Sequence, residues 1–544
     1  MEKISASRIV IAIFLLAFLL RLPEFFSSLA YDEIWTLSNF APLKIRQLLF
    51  DLELPNNHPL NSILIKFIAS FDPPVEFIRL PNLLANLGSI ALVGIMLKRF
   101  YGQVAAWMGM VFMSINAPLV VFSMQARGYS LQIFFLLLFA YGIIALQEKD
   151  LSKKRRWIFS LLIVLGSSCA MITLPTSSLY LAGIVLILWN YKKWGVKNVS
   201  GAGVIVLAGV LALLYILLNY HGLMAARKWG TALSGSREFF CWLGETLYWV
   251  LPGGVLPFTL WGIWCQRKNS WGLAAALLLI FLSACFTNGG GARVYLPLTV
   301  LAAFYGAIGF AGIYARLANS GSKRKIITLA AILLSAGSYV YQLPLWKLPN
   351  YYPLLAEVEK IPSGTLIIYP AGDSYPVLWN SQGKAAEYYS NSLQDQSLQR
   401  TLLLINRNSV ISGADETFAE KNLPLPFPGK LGKLGSMPTT EYTLQKVTGD
   451  FPADRPLIAV LHLMLSKSTF QSYSKSLQEL VFNKSDILLL NCFFCGAELP
   501  DNRRLWSGCW YIAPGALRQR NYEKLPEKLS GVISFYQIVP GNQH

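Results

Sequence analysis

Two adjacent carboxylates, Asp32 and Glu33, stand in the polar stretch Tyr31-Asp32-Glu33-Ile34-Trp35, just beyond the first apolar segment of the chain. A carboxylate so close to hydrocarbon needs water, a cation or a role. Asn57-His58-Pro59-Leu60 follows in the same interval, and Gln125-Ala126-Arg127-Gly128-Tyr129-Ser130 opens a later apolar block. Arg293-Val294-Tyr295 opens another block far downstream. A carboxylate can take the proton of an attacking hydroxyl, and arginines can hold the charge that develops on a departing phosphate. Brought to one membrane face, these residues would serve a single displacement with an anionic leaving group. Asp32 is the expected base. Glu33 is its possible acidic partner, since neighbours on a helix do not share a face and only one should meet a substrate. Arg127 and Arg293 are the expected phosphate contacts, with His58, Tyr129 and Tyr295 positioning substrate; Arg227, Lys228 and Arg237 are weaker phosphate candidates. Each has a plainer reading too: Asp32 as a helix cap or partner of Arg21 or Arg79, Arg127 as a snorkelling cation, His58 as an ordinary loop histidine.

The elements that must carry these groups are membrane spans. Of 544 residues, 54% are hydrophobic and 14% charged, and the apolar residues fall in blocks near the ~20 residues that cross a bilayer. The blocks 9–28, 77–97, 103–123, 128–147, 157–174, 176–190, 199–219, 239–264, 271–287, 294–315 and 326–343 predict a polytopic α-helical membrane protein of about eleven spans; 176–190 and its predecessor are short enough to form a re-entrant pair instead. Basic residues such as Lys98, Arg99, Lys153, Lys154, Arg155, Arg156, Lys323, Arg324 and Lys325 concentrate in alternate short connections. The positive-inside rule therefore puts the N-terminus in the cytoplasm and the C-terminus outside. The net charge of +18 reflects this asymmetry. Nucleic acid is not an expected partner, because the basic clusters lack interleaved aromatics on a soluble domain.

Residues 1–343 are expected to form the membrane domain, with an outer loop at 23–76 whose segments 34–51 and 60–71 carry apolar residues at helical spacing. Pro344, Pro349 and Pro353 mark a linker to an extracytoplasmic domain, 344–544. Strand-like runs at 365–369, 457–461, 487–490 and 532–538, alternating with helix-compatible stretches such as 466–480, predict an α/β fold there. Cys169, Cys241, Cys265 and Cys285 lie in or beside apolar blocks and read as buried small hydrophobes. Cys492, Cys495 and Cys509 fall in the outer domain, where thiols oxidise. A disulfide between Cys509 and one member of the pair, such as Cys495, is preferred to zinc, which would need four ligands.

Short inner loops exclude a cytoplasmic nucleotide-binding fold, so an outer site needs a substrate delivered through the membrane. A sugar on a polyprenyl phosphate meets that demand, and its phosphate leaves without a general acid. The ordered set Asp32-Glu33, His58-Pro59-Leu60, Arg79-Leu80-Pro81 and Gln125 to Ser130, with Arg293-Val294-Tyr295-Leu296-Pro297 as a looser match, resembles the GT-C membrane glycosyltransferases. Within them it is similar to the branch of protein O-mannosyltransferases and lipid A aminoarabinose transferases. The resemblance is close over about a quarter of the chain, between Asp32 and Asp150. It implies an inverting transferase of a polyprenyl-phosphate-linked hexose or pentose, with no essential cofactor or catalytic metal, Asp32 at the active site and Arg127 near the donor phosphate. The implied location is the bacterial plasma membrane, and the implied acceptor is an extracytoplasmic lipid, glycan or protein. Pro59-Leu60 departs from the double proline frequent in that family and leaves the acceptor open. A transporter or flippase of lipid-linked sugars is the competing expectation, although the chain lacks the paired halves common in transporters.

Overall fold

The computed structural model describes residues 6–30, 32–33, 36–50, 52, 57–71, 73–148, 151–190, 199–226, 236–267, 271–287, 292–346 and seven strands beyond them. The chain divides into two compact units, Met1–Phe26 with Asn39–Ile68 and Val75–Trp346, and Ser27–Ser38 with Ala69–Pro74 and Lys347–His544.

The first unit is helical. In chain order its helices are α1 (Ala6–Phe25), α2 (Ile45–Phe50), α3 (Pro59–Ala69), α4 (Leu80–Ser114), α5 (Ala117–Ser123), α6 (Tyr129–Leu146), α7 (Lys153–Thr173), α8 (Ser177–Asn190), α9 (Val199–Leu218) and α10 (Tyr220–Ala226). They continue as α11 (Ser236–Val250), α12 (Leu256–Cys265), α13 (Trp271–Thr287), α14 (Leu296–Arg316) and α15 (Gly321–Trp346). Among the described residues six helical segments are long and apolar enough to cross a membrane, or seven if α9 and α10, bent by 68° at their junction, count as one span. That is fewer than about eleven. The shortfall has identifiable causes. The block 239–264 is not one span but two helices, parted at Leu251-Pro252-Gly253-Gly254, where proline and paired glycines remove backbone support. The block 103–123 is interrupted after Ser114, and Asn116 restarts the chain by accepting the Leu119 N–H at 3.2 Å. By contrast α7 qualifies as a span by itself.

The long helix α4 is in effect a hairpin. Gly102 sits at φ 82° and ψ −178° inside it, a conformation essentially reserved for glycine. Residues 94 and 110 would be about 24 Å apart on a straight helix, yet a Cβ on Gly94 would lie 2.7 Å from the Met110 sulfur. Gly109 likewise meets Leu97 and Val93. The two limbs thus run back along each other, and the turn carries Arg99, which pairs with Glu148 beyond the end of α6 at 2.7 Å.

Large apolar side chains face outward along the helices, among them Val206, Leu213, Ile326 and Leu333, while Arg21 and Arg79 are among the largest fully buried side chains. In water each exposed aliphatic side chain forgoes about 1.5–3 kcal/mol of burial; in hydrocarbon the penalty vanishes, so this inverted pattern suits a bilayer. Cys241 and Cys265, expected to be buried, are exposed for the same reason: an apolar block can turn part of its surface to lipid. Inside, Arg21 donates from Nε and Nη2 to Asn86 Oδ1 at 3.0 and 2.7 Å and from Nη1 to the carbonyls of Ala17 and Ser114. Asn86 in turn reaches the Leu119 carbonyl at 3.3 Å. Arg79 Nη1 donates to the Glu24 and Phe25 carbonyls at 3.0 and 2.9 Å, satisfying acceptors that the end of α1 leaves open.

The described part of the region beyond residue 347 is one mixed sheet: β1 (Leu366–Pro370), β2 (Thr401–Ile405), β3 (Tyr442–Lys446), β4 (Leu457–Ser466), β5 (Ile487–Cys492), β6 (Arg503–Ile512) and β7 (Ile533–Pro540), in the order β3-β7-β2-β1-β4-β6-β5. β1 pairs in parallel with β2 and β4, and the remaining pairs are antiparallel. All four expected strands form. The helix expected over 466–480 lies outside the described residues. So does the cysteine pairing; in register Cys509 stands opposite Leu490 and Cys492 opposite Ser507.

Candidate active site

The site is built where two helix starts meet. Pro59 occupies the first position of α3, where its missing N–H and fixed φ suit helix initiation. His58 is therefore the capping residue, its carbonyl accepting the Ser62 N–H at 2.9 Å. Gly128 plays the same part for α6, accepting the Gln132 N–H at 2.8 Å. The two caps touch: the Gly128 N–H donates to His58 Nδ1 at 2.9 Å. A Cβ at position 128 would stand 2.5 Å from Thr173 Cγ2 and 2.9 Å from His58 Nδ1, which is why the motif there needs glycine.

Asparagines hold this junction. Asn61, one turn into α3, donates to the Ala126 carbonyl at 2.7 Å and accepts from Asn82 Nδ2 at 2.8 Å. Asn57 Nδ2 donates to the Leu48 carbonyl at 3.0 Å and so ties α2 to the start of α3. Both Asn61 and Asn82 are buried, and neither stood out as functional in the sequence. A signal was present: Asn82 and Asn86 repeat at i, i+4 within an apolar block, the spacing of one helix face.

Around the junction the expected residues gather. His58 is 2% exposed, and its ring stands edge-on to Tyr129 with centroids 5.0 Å apart. The Arg127 guanidinium lies 5.5 Å from the centre of the Tyr129 ring, within cation–π range. Arg293, exposed on the short turn Ala292–Tyr295, acts electrostatically on both His58 and Arg127. Burial, then the Arg293 charge, push His58 down to about 3; because Nδ1 accepts a hydrogen bond, its proton belongs on Nε2. That Nε2–H is buried and has no hydrogen-bond partner among the described residues. Burial pulls Arg127 down to about 9, Tyr129 opposing and Arg293 reinforcing the shift, so the guanidinium stays charged at neutral pH. The junction thus joins two helix N-termini, two cations and one neutral N–H donor, which together favour an anion.

Tyr295 is placed differently. Its ring is 4% exposed and packs 5.2 Å from Trp242 and 6.3 Å from Phe281, an aromatic cluster that anchors the start of α14. Arg237 is exposed on α11, and Arg227 and Lys228 lie outside the described residues. In the second unit, Glu33 is 1% exposed and accepts the Ala30 N–H at Oε2, 2.9 Å away, while its own N–H donates to the Ala30 carbonyl at 3.0 Å. This reciprocal pair fixes the turn that presents Asp32, whose side chain is half-buried and whose carbonyl accepts the Thr36 hydroxyl at 2.9 Å.

No protein-family model and no curated protein matches the sequence. Among solved structures, the chain is similar to ArnT from Cupriavidus metallidurans in the apo state, at 10% identity over 94% of this chain and 99% of that one, with a TM-score of 0.46. It is likewise similar to the same protein bound to undecaprenyl phosphate, at 12% identity over 93% and 98%, TM-score 0.45. A third is the archaeal oligosaccharyltransferase AglB from Archaeoglobus fulgidus in complex with an inhibitory peptide and a dolichol-phosphate, at 12% identity over 98% and 88%, TM-score 0.46.

Proposed function

We propose that this chain is an integral-membrane glycosyltransferase that moves a sugar from a polyprenyl-phosphate donor to a hydroxyl of an extracytoplasmic acceptor. The observation that carries this reading is the junction of α3 and α6, where His58 and Gly128 cap two helices against each other beside Arg127 and Arg293. A phosphate whose tail lies in the bilayer would relieve the repulsion between those cations and meet both helix N-termini. The neutral His58 donates its Nε2–H to a phosphate or sugar oxygen without placing a third cation there.

The sugar–phosphate bond then breaks through an oxocarbenium-like transition state. Arg127 and Arg293 hold the charge gathering on the phosphate, and Tyr129 braces Arg127 from its ring face. Asp32 takes the acceptor hydroxyl's proton as that oxygen attacks, and a single displacement inverts the anomeric centre. Glu33 keeps the Asp32 turn in shape. The working orientation has the N-terminus in the cytoplasm and the site on the outer face of the bacterial plasma membrane.

The test is transfer of radiolabelled sugar from its polyprenyl phosphate by purified protein. Asp32→Asn should leave donor binding in place and lower turnover by about 10²–10⁴, while Arg127→Ala should weaken donor binding, turnover or both. A flippase would bind the same lipid and release it intact. Undiminished turnover by Asp32→Asn would remove Asp32 from the base role, and donor binding without any transfer by the unaltered chain would overturn the transferase reading.

A further inference from the structure

An open cleft of about 620 Å³ is lined by Arg46, Gln47 and Phe50 of α2 and by Leu218, Asn219, His221 and Gly222 where α9 gives way to α10. It lies where a membrane segment breaks: α9 is 20 residues long and apolar, and with α10, set at 68° to it, it makes one candidate bent span. Tyr215 donates its hydroxyl to the Leu49 carbonyl at 3.1 Å, holding α9 against α2, and Asn57 holds the neighbouring Leu48 carbonyl. The cleft is therefore a formed feature.

Its chemistry is mixed in a particular way. Arg46 is exposed and makes no ion pair among the described residues. Gln47 spends its Oε1 on the Lys44 N–H at 3.1 Å, which leaves its amide N–H groups to donate. Asn219 is 2% exposed; its Nδ2 donates to the Tyr215 carbonyl at 2.9 Å, whereas its Oδ1 is buried and accepts nothing among the described residues. A buried acceptor without a donor is unfavourable by about 1–3 kcal/mol, so the site asks for a ligand hydroxyl or N–H. Phe50 and Leu218, 46% and 70% exposed, supply an apolar margin.

We propose that this cleft binds an anionic, hydroxyl-bearing phospholipid headgroup of the bilayer, of the phosphatidylglycerol kind. The phosphate meets Arg46 and the Gln47 amide, a headgroup hydroxyl donates to Asn219 Oδ1, and an acyl chain lies along Phe50 and Leu218. The lipid would hold α2, and through Leu48 the Asn57-His58 cap, in place.

The experiment uses the full chain in neutral detergent, with no sugar donor, so its outcome is independent of glycosyl transfer. Native mass spectrometry and fluorescence titration follow binding of dihexanoyl phosphatidylglycerol, phosphatidic acid and phosphatidylcholine, and of inorganic phosphate. Phosphatidylglycerol should bind at least about tenfold tighter than phosphatidylcholine, and Arg46→Gln should remove that preference while Arg46→Lys keeps most of it. Asn219→Leu should bring phosphatidylglycerol down to phosphatidic acid and leave phosphatidic acid unchanged. If Asn219→Leu does not elute as folded protein, the exposed Arg46 pair carries the test alone. Equal binding of phosphatidylglycerol and phosphatidylcholine, or unaltered binding by Arg46→Gln, would overturn the proposal. Inorganic phosphate binding as tightly as phosphatidylglycerol would reduce the site to an anion hole and overturn it as well.

Discussion

Acid should destabilise this protein through His58, by an amount the junction sets. An ordinary histidine titrates near 6.5, but burial and the Arg293 charge hold His58 at about 3, and its Nδ1 is committed as an acceptor to the Gly128 N–H. Above pH 6.5 the side chain is neutral in both folded and unfolded chains and has no pH-dependent effect. Below that, the unfolded chain binds a proton that the native chain refuses, so native stability falls as pH drops toward 3. The slope is about 1.4 kcal/mol per pH unit, which amounts to about 2 kcal/mol between pH 7 and pH 5. His58→Asn offers an amide oxygen near the position of Nδ1 and has no proton to gain. Unfolding by SDS in mixed micelles, followed by tryptophan fluorescence at pH 7, 6 and 5, isolates the effect as the difference between the two proteins, because every other titrating group is common to both. The wild-type curve should fall below that of the variant by about 2 kcal/mol more at pH 5 than at pH 7. Parallel pH profiles would refute the reasoning: His58 would then be solvated or already charged, and the neutral-donor role assigned to it would go with it.

Gly128→Ala should push its new methyl into Thr173 and His58; overpacking of this kind costs about 1–3 kcal/mol, and transfer should drop more than thermal stability does. Adding Thr173→Ser, which deletes the methyl 2.5 Å away but keeps a hydroxyl for the Cys169 carbonyl, should recover part of both. Glu33→Gln keeps one carbonyl oxygen for the Ala30 N–H and should lower turnover much less than Asp32→Asn in the same radiolabel assay. Gly102→Ala should destabilise by about 1–3 kcal/mol in SDS titration through backbone strain alone, since open space surrounds that position. Gly209→Ala, equally open but inside α9, should instead be neutral or stabilising by up to about 1 kcal/mol.

The parts of this molecule that sequence could reveal are those governed by local pattern. Apolar blocks became helices almost everywhere they were expected, because a run of twenty apolar residues has few alternatives in lipid. Breaks inside blocks were harder, since Pro252-Gly253-Gly254 and Asn116-Ala117-Pro118 lie among residues hydrophobic enough to mask them. Three strands were missed for the opposite reason. β6 begins with Arg503-Arg504 and carries Gly508, so its polar and small residues hide a ten-residue strand that the sheet completes from both sides. β2 and β3 are five residues each and gain their support from β7, a partner roughly a hundred positions away.

The same division runs through the site. Arg127, His58 and Tyr129 were visible because charged and polar groups at the ends of apolar blocks are costly enough to need a reason. Their meeting was not visible, because it depends on a single hydrogen bond between residues 70 positions apart and on asparagines whose amides have no local partner. Tyr295 shows the limit in the other direction. It begins a span beside Arg293, as a substrate contact would, yet its ring is bound into the Trp242–Phe281 cluster. A tyrosine at a helix start satisfies either demand equally well from sequence, and only the packing of α11 and α13 against it decides. Arg293 is the residue that gains most from the three-dimensional arrangement. Its charge reaches both His58 and Arg127, adding to the burial that keeps the first neutral and lowers the second, from a turn more than 160 residues downstream of Arg127.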